Sequence, residues 1–81
     1  MNDEKVYSVR WTARGDSSPK FASAREGHYE HRAPKGAHRM TLADAACRAL
    51  RQTREYGPAQ KFEVVKITPP PQLNYIVEVV A

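Results

Sequence analysis

The sequence predicts an α+β domain: a mostly antiparallel sheet of three or four strands, one amphipathic helix packed on one face, and a C-terminal β-hairpin. Three observations carry this. Residues 41–57 hold an apolar stripe at helical period between a start and a stop signal; residues 61–68 and 73–80 are β-branched and aromatic runs split by a triple proline; and residues 7–14 alternate apolar with polar. Helix and strands segregated along a chain of this length give one small layered unit, residues 1–81, with no room for a second core.

The helix is the clearest element. The Thr41 hydroxyl is placed to cap orphan backbone amides, and Asp44 follows three residues later, the Thr-x-x-acid form of a capping box. Gly57 followed by Pro58 ends it. Between these signals Leu42, Ala45, Ala46, Ala49, Leu50, Thr53 and Tyr56 form one stripe, which predicts the face that packs on a sheet. Asp44, Arg48, Arg51, Gln52, Arg54 and Glu55 occupy the other side.

The two runs after the helix read as an antiparallel hairpin, because Pro69, Pro70, Pro71 and Gln72 cannot extend a ladder. In the last strand Leu73, Tyr75, Val77 and Val79 share one face, which predicts that this face packs against the helix. In the first strand Tyr7, Val9, Trp11 and Ala13 are apolar, and Ser8, Arg10, Thr12 and Arg14 form a basic outer face. Residues 15–40 are the least regular: either a loop ordered by a partner or a short extra strand near Phe21.

Thirteen Lys and Arg against nine Asp and Glu give +4 at pH 7, and arginine, the residue that grips phosphate and carboxylate as a planar fork, dominates the excess. The expected partners are acidic. No stretch is long and apolar enough to cross a membrane, and the start Met-Asn-Asp-Glu-Lys lacks the apolar run of a signal peptide, so the expected location is cytoplasmic, without membrane association. The single cysteine, Cys47, excludes an intrachain disulfide.

The histidines His28, His31 and His38 precede Cys47 in the spacing His-x2-His-x6-His-x8-Cys, which matches no standard zinc pattern and is crowded by Arg32, Lys35 and Arg39. No metal and no cofactor are expected. Cys47 falls in mid-helix, away from the N-terminal amides that favour a thiolate, and no glycine-rich phosphate loop or nucleophile–base motif is visible. The chain is therefore read as a binding protein and not an enzyme.

The basic residues suggest how it binds. Arg48, Arg51 and Arg54 run down the polar side of the helix, and Arg32, Lys35 and Arg39 precede it; together they would make a continuous positive surface able to track phosphates. The pairs Asp44–Arg48 and Arg51–Glu55, four residues apart, equally suit an ordinary solvated helix. Arg10 and Arg14 form a second basic patch. Trp11 points away from it toward the core, and Tyr29, read as free in the loop, is the stacking candidate.

A strand, a long polar connection, a Thr-capped alanine-rich helix and a terminal hairpin make an arrangement similar to several small phage-encoded inhibitors, among them anti-CRISPR proteins directed at multisubunit type I effector complexes. The resemblance rests on residues 40–57 leading into Lys61–Thr68, about half of the chain, and carries no residue over by position. It implies a non-catalytic protein of phage or mobile-element type, acting in a host bacterial cell, that occludes a host protein or ribonucleoprotein complex. Many such inhibitors are acidic DNA mimics, and this chain departs from them in being basic. Two alternatives stand beside it: direct binding of DNA or RNA through Arg and Lys, and an oligomerising assembly protein held by its apolar last strand.

Overall fold

The computed structural model describes residues 4–14, 18–68 and 75–81. Among them are five strands and one α-helix: β1 (Tyr7–Thr12), β2 (Lys20–Ala22), β3 (Tyr29–His31), α1 (Leu42–Tyr56), β4 (Lys61–Thr68) and β5 (Ile76–Val79). The strands form one antiparallel sheet in the order β3-β2-β1-β4-β5. The α+β class stands as expected; the sheet has five strands where three or four were predicted. The additional strands come from residues 15–40. That segment supplies two strands of three residues each, β2 and β3, then a single 3-10 turn at Pro34–Gly36. Three residues are too few to show a period-two pattern, so these strands exist by virtue of what they pair with.

The central strand β1 shows how the sheet is organised. On one side β4 pairs with its whole length, from Tyr7 opposite Lys66 to Thr12 opposite Lys61. On the other side β2 covers only Arg10 and Trp11. Met40 then continues that edge, exchanging two backbone hydrogen bonds of 3.0 and 2.7 Å with Tyr7. This pairing delivers the chain to the start of α1. Thr41 caps the helix as expected, its hydroxyl oxygen accepting from the Asp44 N–H at 3.2 Å. Gly57 closes it at φ 72°, ψ −169°, a backbone conformation that side chains with a Cβ strongly disfavour, and its N–H donates to the Thr53 carbonyl.

Two small cores lie on the two faces of the sheet, because successive strand residues point to opposite sides. Under the helix, Val9, Ala22 and Val64 pack with Met40, Ala45 and Ala49, and Tyr7, Tyr29, Leu42 and Phe62 close the margin. On the far face Phe21, Val65 and Ile67 pack with Ala37, Tyr75 and Val77. Two expectations are corrected here. The Tyr75–Val77 side of the last strand packs away from the helix, since its register opposite Val65 and Ile67 assigns it to the far face; Leu73 and the proline run 69–72 lie outside the described residues. The buried side of α1 is also rotated from the apolar stripe: Ala45, Arg48, Ala49 and Gln52 are buried, whereas Ala46, Leu50 and Thr53 are exposed.

Candidate functional site: an aromatic cleft held by a buried arginine

The rotation of the helix has its cause in Arg48. This side chain is only 4% exposed, and its guanidinium is used up by the loop that joins β2 to β3. Its Nη1 donates to the Ser23 carbonyl at 2.8 Å, and its Nη2 donates to the carbonyls of Arg25 and His28 at 3.1 and 3.2 Å. Its Nε donates to the Tyr29 hydroxyl at 3.3 Å, and its Cζ lies 5.0 Å from the centre of the Tyr29 ring. A guanidinium is tolerated in a core only when its planar fork finds acceptors in fixed places. A tight loop presenting three carbonyls to one point meets that requirement.

Four aromatic rings gather beside this anchor. Tyr29 of β3 sits between Trp11 of β1, at 5.9 Å between ring centres, and Phe62 of β4, at 5.6 Å. Tyr56, the last residue of α1, lies 5.9 Å from Phe62. The rows of the sheet bring them together, because Trp11 stands opposite Phe62 and Tyr29 opposite Ala22 on the helix side. They line an open cleft of about 370 Å³, with Gly27, His28, Glu30 and Gln60 completing the wall. The Trp11 indole N–H donates to the Gln60 side-chain oxygen, which fixes the ring and leaves the Gln60 amide N–H groups as donors at the rim. His28 Nδ1 lies 3.9 Å from a Glu30 carboxylate oxygen.

The electrostatics of the rings are already set by the protein. Lys20 places its ammonium 5.8 Å from the Trp11 ring centre, and Arg48 covers Tyr29. The quadrupoles of Trp11 and Tyr29 are thus each engaged by a cation of the protein, and a further positive group brought to these two rings would be repelled. A planar neutral ring has no such conflict. Burial pushes the Tyr29 hydroxyl above its ordinary pKa, with Arg48 opposing the shift, so the phenol stays protonated across the physiological range.

The expected basic surface does not assemble as one patch. Arg48 is inside the protein, and Tyr29, expected free in a loop, is a half-buried strand residue beneath it. Arg51 is exposed and pairs with Glu26 of the β2–β3 loop, in place of Glu55; this hydrogen bond holds the Glu26 carboxyl below the usual carboxylate range. Arg54 is exposed at the last turn of the helix. Arg10 lies on the far face, where Nε and Nη2 donate to Glu63 at 3.2 and 3.0 Å. Arg39 is on that face too, 5.7 Å from the Tyr75 ring centre and bonded to the Ala37 carbonyl. Arg14, Arg32 and Lys35 are exposed. The nine predicted residues are therefore spread over both faces.

Sequence reading missed the cleft itself, and with it Trp11, Tyr56, Gln60 and Phe62 as a group. Period-two alternation placed Trp11 on the helix side, but nothing local indicated that Phe62 would stand opposite it or that the helix would end on the same spot. Among the described residues no three His, Cys, Asp or Glu side chains converge as metal ligands, and no helix is long and apolar enough to cross a membrane. No protein-family model, no curated protein and no solved structure matches this chain.

Proposed function

We propose that this chain is a non-catalytic binding protein that takes an unstacked base of single-stranded nucleic acid into the aromatic cleft. The observation that carries the reading is the convergence of Trp11, Tyr29, Tyr56 and Phe62 on one open cleft, in which Lys20 already faces Trp11 and Arg48 already faces Tyr29. Aromatic faces stack on any base, and nearby cations suit a ligand whose backbone is a polyanion. The polar rim adds preference, since the Glu30 carboxylate accepts from exocyclic amino groups and the Gln60 amide donates to ring carbonyls. A base within a duplex is stacked on both faces and does not fit. An inhibitor that occludes a nucleic-acid-processing complex, as the architectural resemblance implies, would act by holding an exposed strand of that complex in this cleft.

The test is a fluorescence-anisotropy titration with labelled single-stranded oligonucleotide, duplex DNA and a trimethyllysine peptide. Single-stranded ligand is expected to bind preferentially. Tyr56→Ala, at a half-exposed position, should weaken it about tenfold, the scale of one lost stacking ring. Lys20→Ala should reduce the slope of log affinity against log salt by about 0.7 if its ammonium meets a phosphate. Tightest binding of the peptide, or single-strand binding indifferent to Tyr56→Ala, would reject the proposal.

A further inference from the structure

The aromatic rings of the cleft take the face of any base, so a preference among bases has to come from the polar side chains that line it. Gln60 and Glu30 are two of these, and each offers a ligand one kind of hydrogen bond. A glutamine amide ordinarily presents either its oxygen or its nitrogen by turning over. Gln60 has lost that choice. Its oxygen accepts from the Trp11 indole N–H, a group that only donates, so a turned amide would set one donor against another. What Gln60 presents to a ligand is its NH2.

Glu30 is the complement. Its carboxylate stands 3.9 Å from His28 Nδ1, beyond hydrogen-bond reach, and its side chain is 65% exposed, so both oxygens are open to a ligand. By contrast Glu26 is held by Arg51, and Glu63 by Arg10 and Lys61. An ionised carboxylate only accepts, and its two oxygens side by side match two adjacent donors.

Of the ordinary bases, guanine alone carries that pair on its Watson–Crick edge: N1–H and the 2-amino group, followed by the O6 carbonyl as an acceptor. Cytosine sets its amino group beside N3 and adenine beside N1, and the lone pair on either ring nitrogen repels a carboxylate. Uracil and thymine hold a single N–H between two carbonyl oxygens. We infer that the cleft prefers guanine, with Glu30 accepting from N1–H and the 2-amino group and Gln60 donating to O6. The inference rests on the cleft being a stacking site for an unpaired base, and it makes Glu30 and Gln60 the residues that set specificity. Guanine is neutral and planar, as a cleft already faced by Lys20 and Arg48 requires.

The test uses single-stranded oligothymidylate carrying one central guanine, hypoxanthine, adenine, cytosine or thymine, with affinity read by anisotropy and engagement of the cleft by Trp11 fluorescence. The guanine strand should bind tightest, about tenfold over the all-thymine strand, and hypoxanthine, which is guanine without the 2-amino group, should lose about fivefold. Glu30→Gln, at an exposed position, should erase the difference between guanine and hypoxanthine without weakening the all-thymine strand. Gln60→Glu keeps an acceptor for the Trp11 indole but removes the NH2, and should narrow the preference over adenine, which has no carbonyl. Quenching of Trp11 with equal affinity for all five strands would overturn the guanine preference while the stacking reading stands. So would a guanine–hypoxanthine difference that survives Glu30→Gln. Binding of none of the strands, or binding without any change in Trp11 emission, would remove the stacking reading and the preference with it.

Discussion

Tyr29 shows how one residue comes to serve both the core and the site. Its ring closes the margin of the helix-side core, forms one wall of the cleft and carries the Arg48 guanidinium on its face, while its hydroxyl accepts from Arg48 Nε. The phenol pKa is raised above 10.0 by burial, so the folded chain holds that proton more tightly than the unfolded one does. The resulting contribution to stability is complete below pH 10 and is lost as the pH rises through the folded value. Urea unfolding of the wild type should therefore show a lower midpoint at about pH 10.5 than at about pH 8, and Tyr29→Phe, which cannot ionise, should reduce that drop. An equal drop in the two proteins would mean that another group controls the alkaline limb.

Arg48 acts at the scale of elements, because its hydrogen bonds tie α1 to the β2–β3 loop and to the start of β3. Its removal takes the guanidinium donor from the Ser23 carbonyl and leaves the Arg25 and His28 carbonyls with only the loop's own donors, the His28 and Ser23 N–H groups and the Ser23 hydroxyl. Arg48→Met should cost about 2–3 kcal/mol in urea unfolding, the scale of hydrogen bonds to a charged group, and Arg48→Lys should recover little, since an ammonium cannot match a fork set by three carbonyls. Full stability in Arg48→Met would contradict the anchoring role. The same residue explains what was legible in the sequence. The ends of α1 were readable because capping and termination are local chemistry at Thr41 and Gly57, and β1, β4 and β5 because their runs of β-branched and aromatic residues are long enough to show a pattern. The rotation of the helix was not readable: an arginine looks like solvent-facing charge until the loop whose carbonyls accept its hydrogen bonds is in place. Gln52, one helical turn further on, is buried on the same side of α1 with its side-chain oxygen unpaired. The strand β2 was legible only as one of two alternatives near Phe21, and β3 was hidden, because three residues pairing across a turn leave no periodic trace.

At the scale of the whole molecule the two faces of the sheet divide the work. The far face buries Phe21, Val65 and Ile67 under Ala37 and Tyr75 and neutralises Arg10 with Glu63, leaving a structural surface. The helix face carries the aromatic cleft at one end, where α1 ends with Tyr56 beside Phe62, and among the described strands β5 lies at the opposite edge from β3. The predicted site residues were chosen by charge, and charge alone did not distinguish an arginine that holds a loop from one that meets a partner. The aromatic cluster, assembled from four separate elements, is what sets this surface apart from a merely soluble one.

The central claim is that the cleft stacks an unpaired base, and the sequence contains a single tryptophan, Trp11, which lies in its wall. Its intrinsic fluorescence is therefore the most direct reporter. Titration with a short single-stranded oligonucleotide should quench it saturably, with the same dissociation constant as the anisotropy signal, and duplex of the same sequence should leave it nearly unchanged. Binding seen by anisotropy without any change in Trp11 emission would place the nucleic acid elsewhere on the molecule and contradict the account.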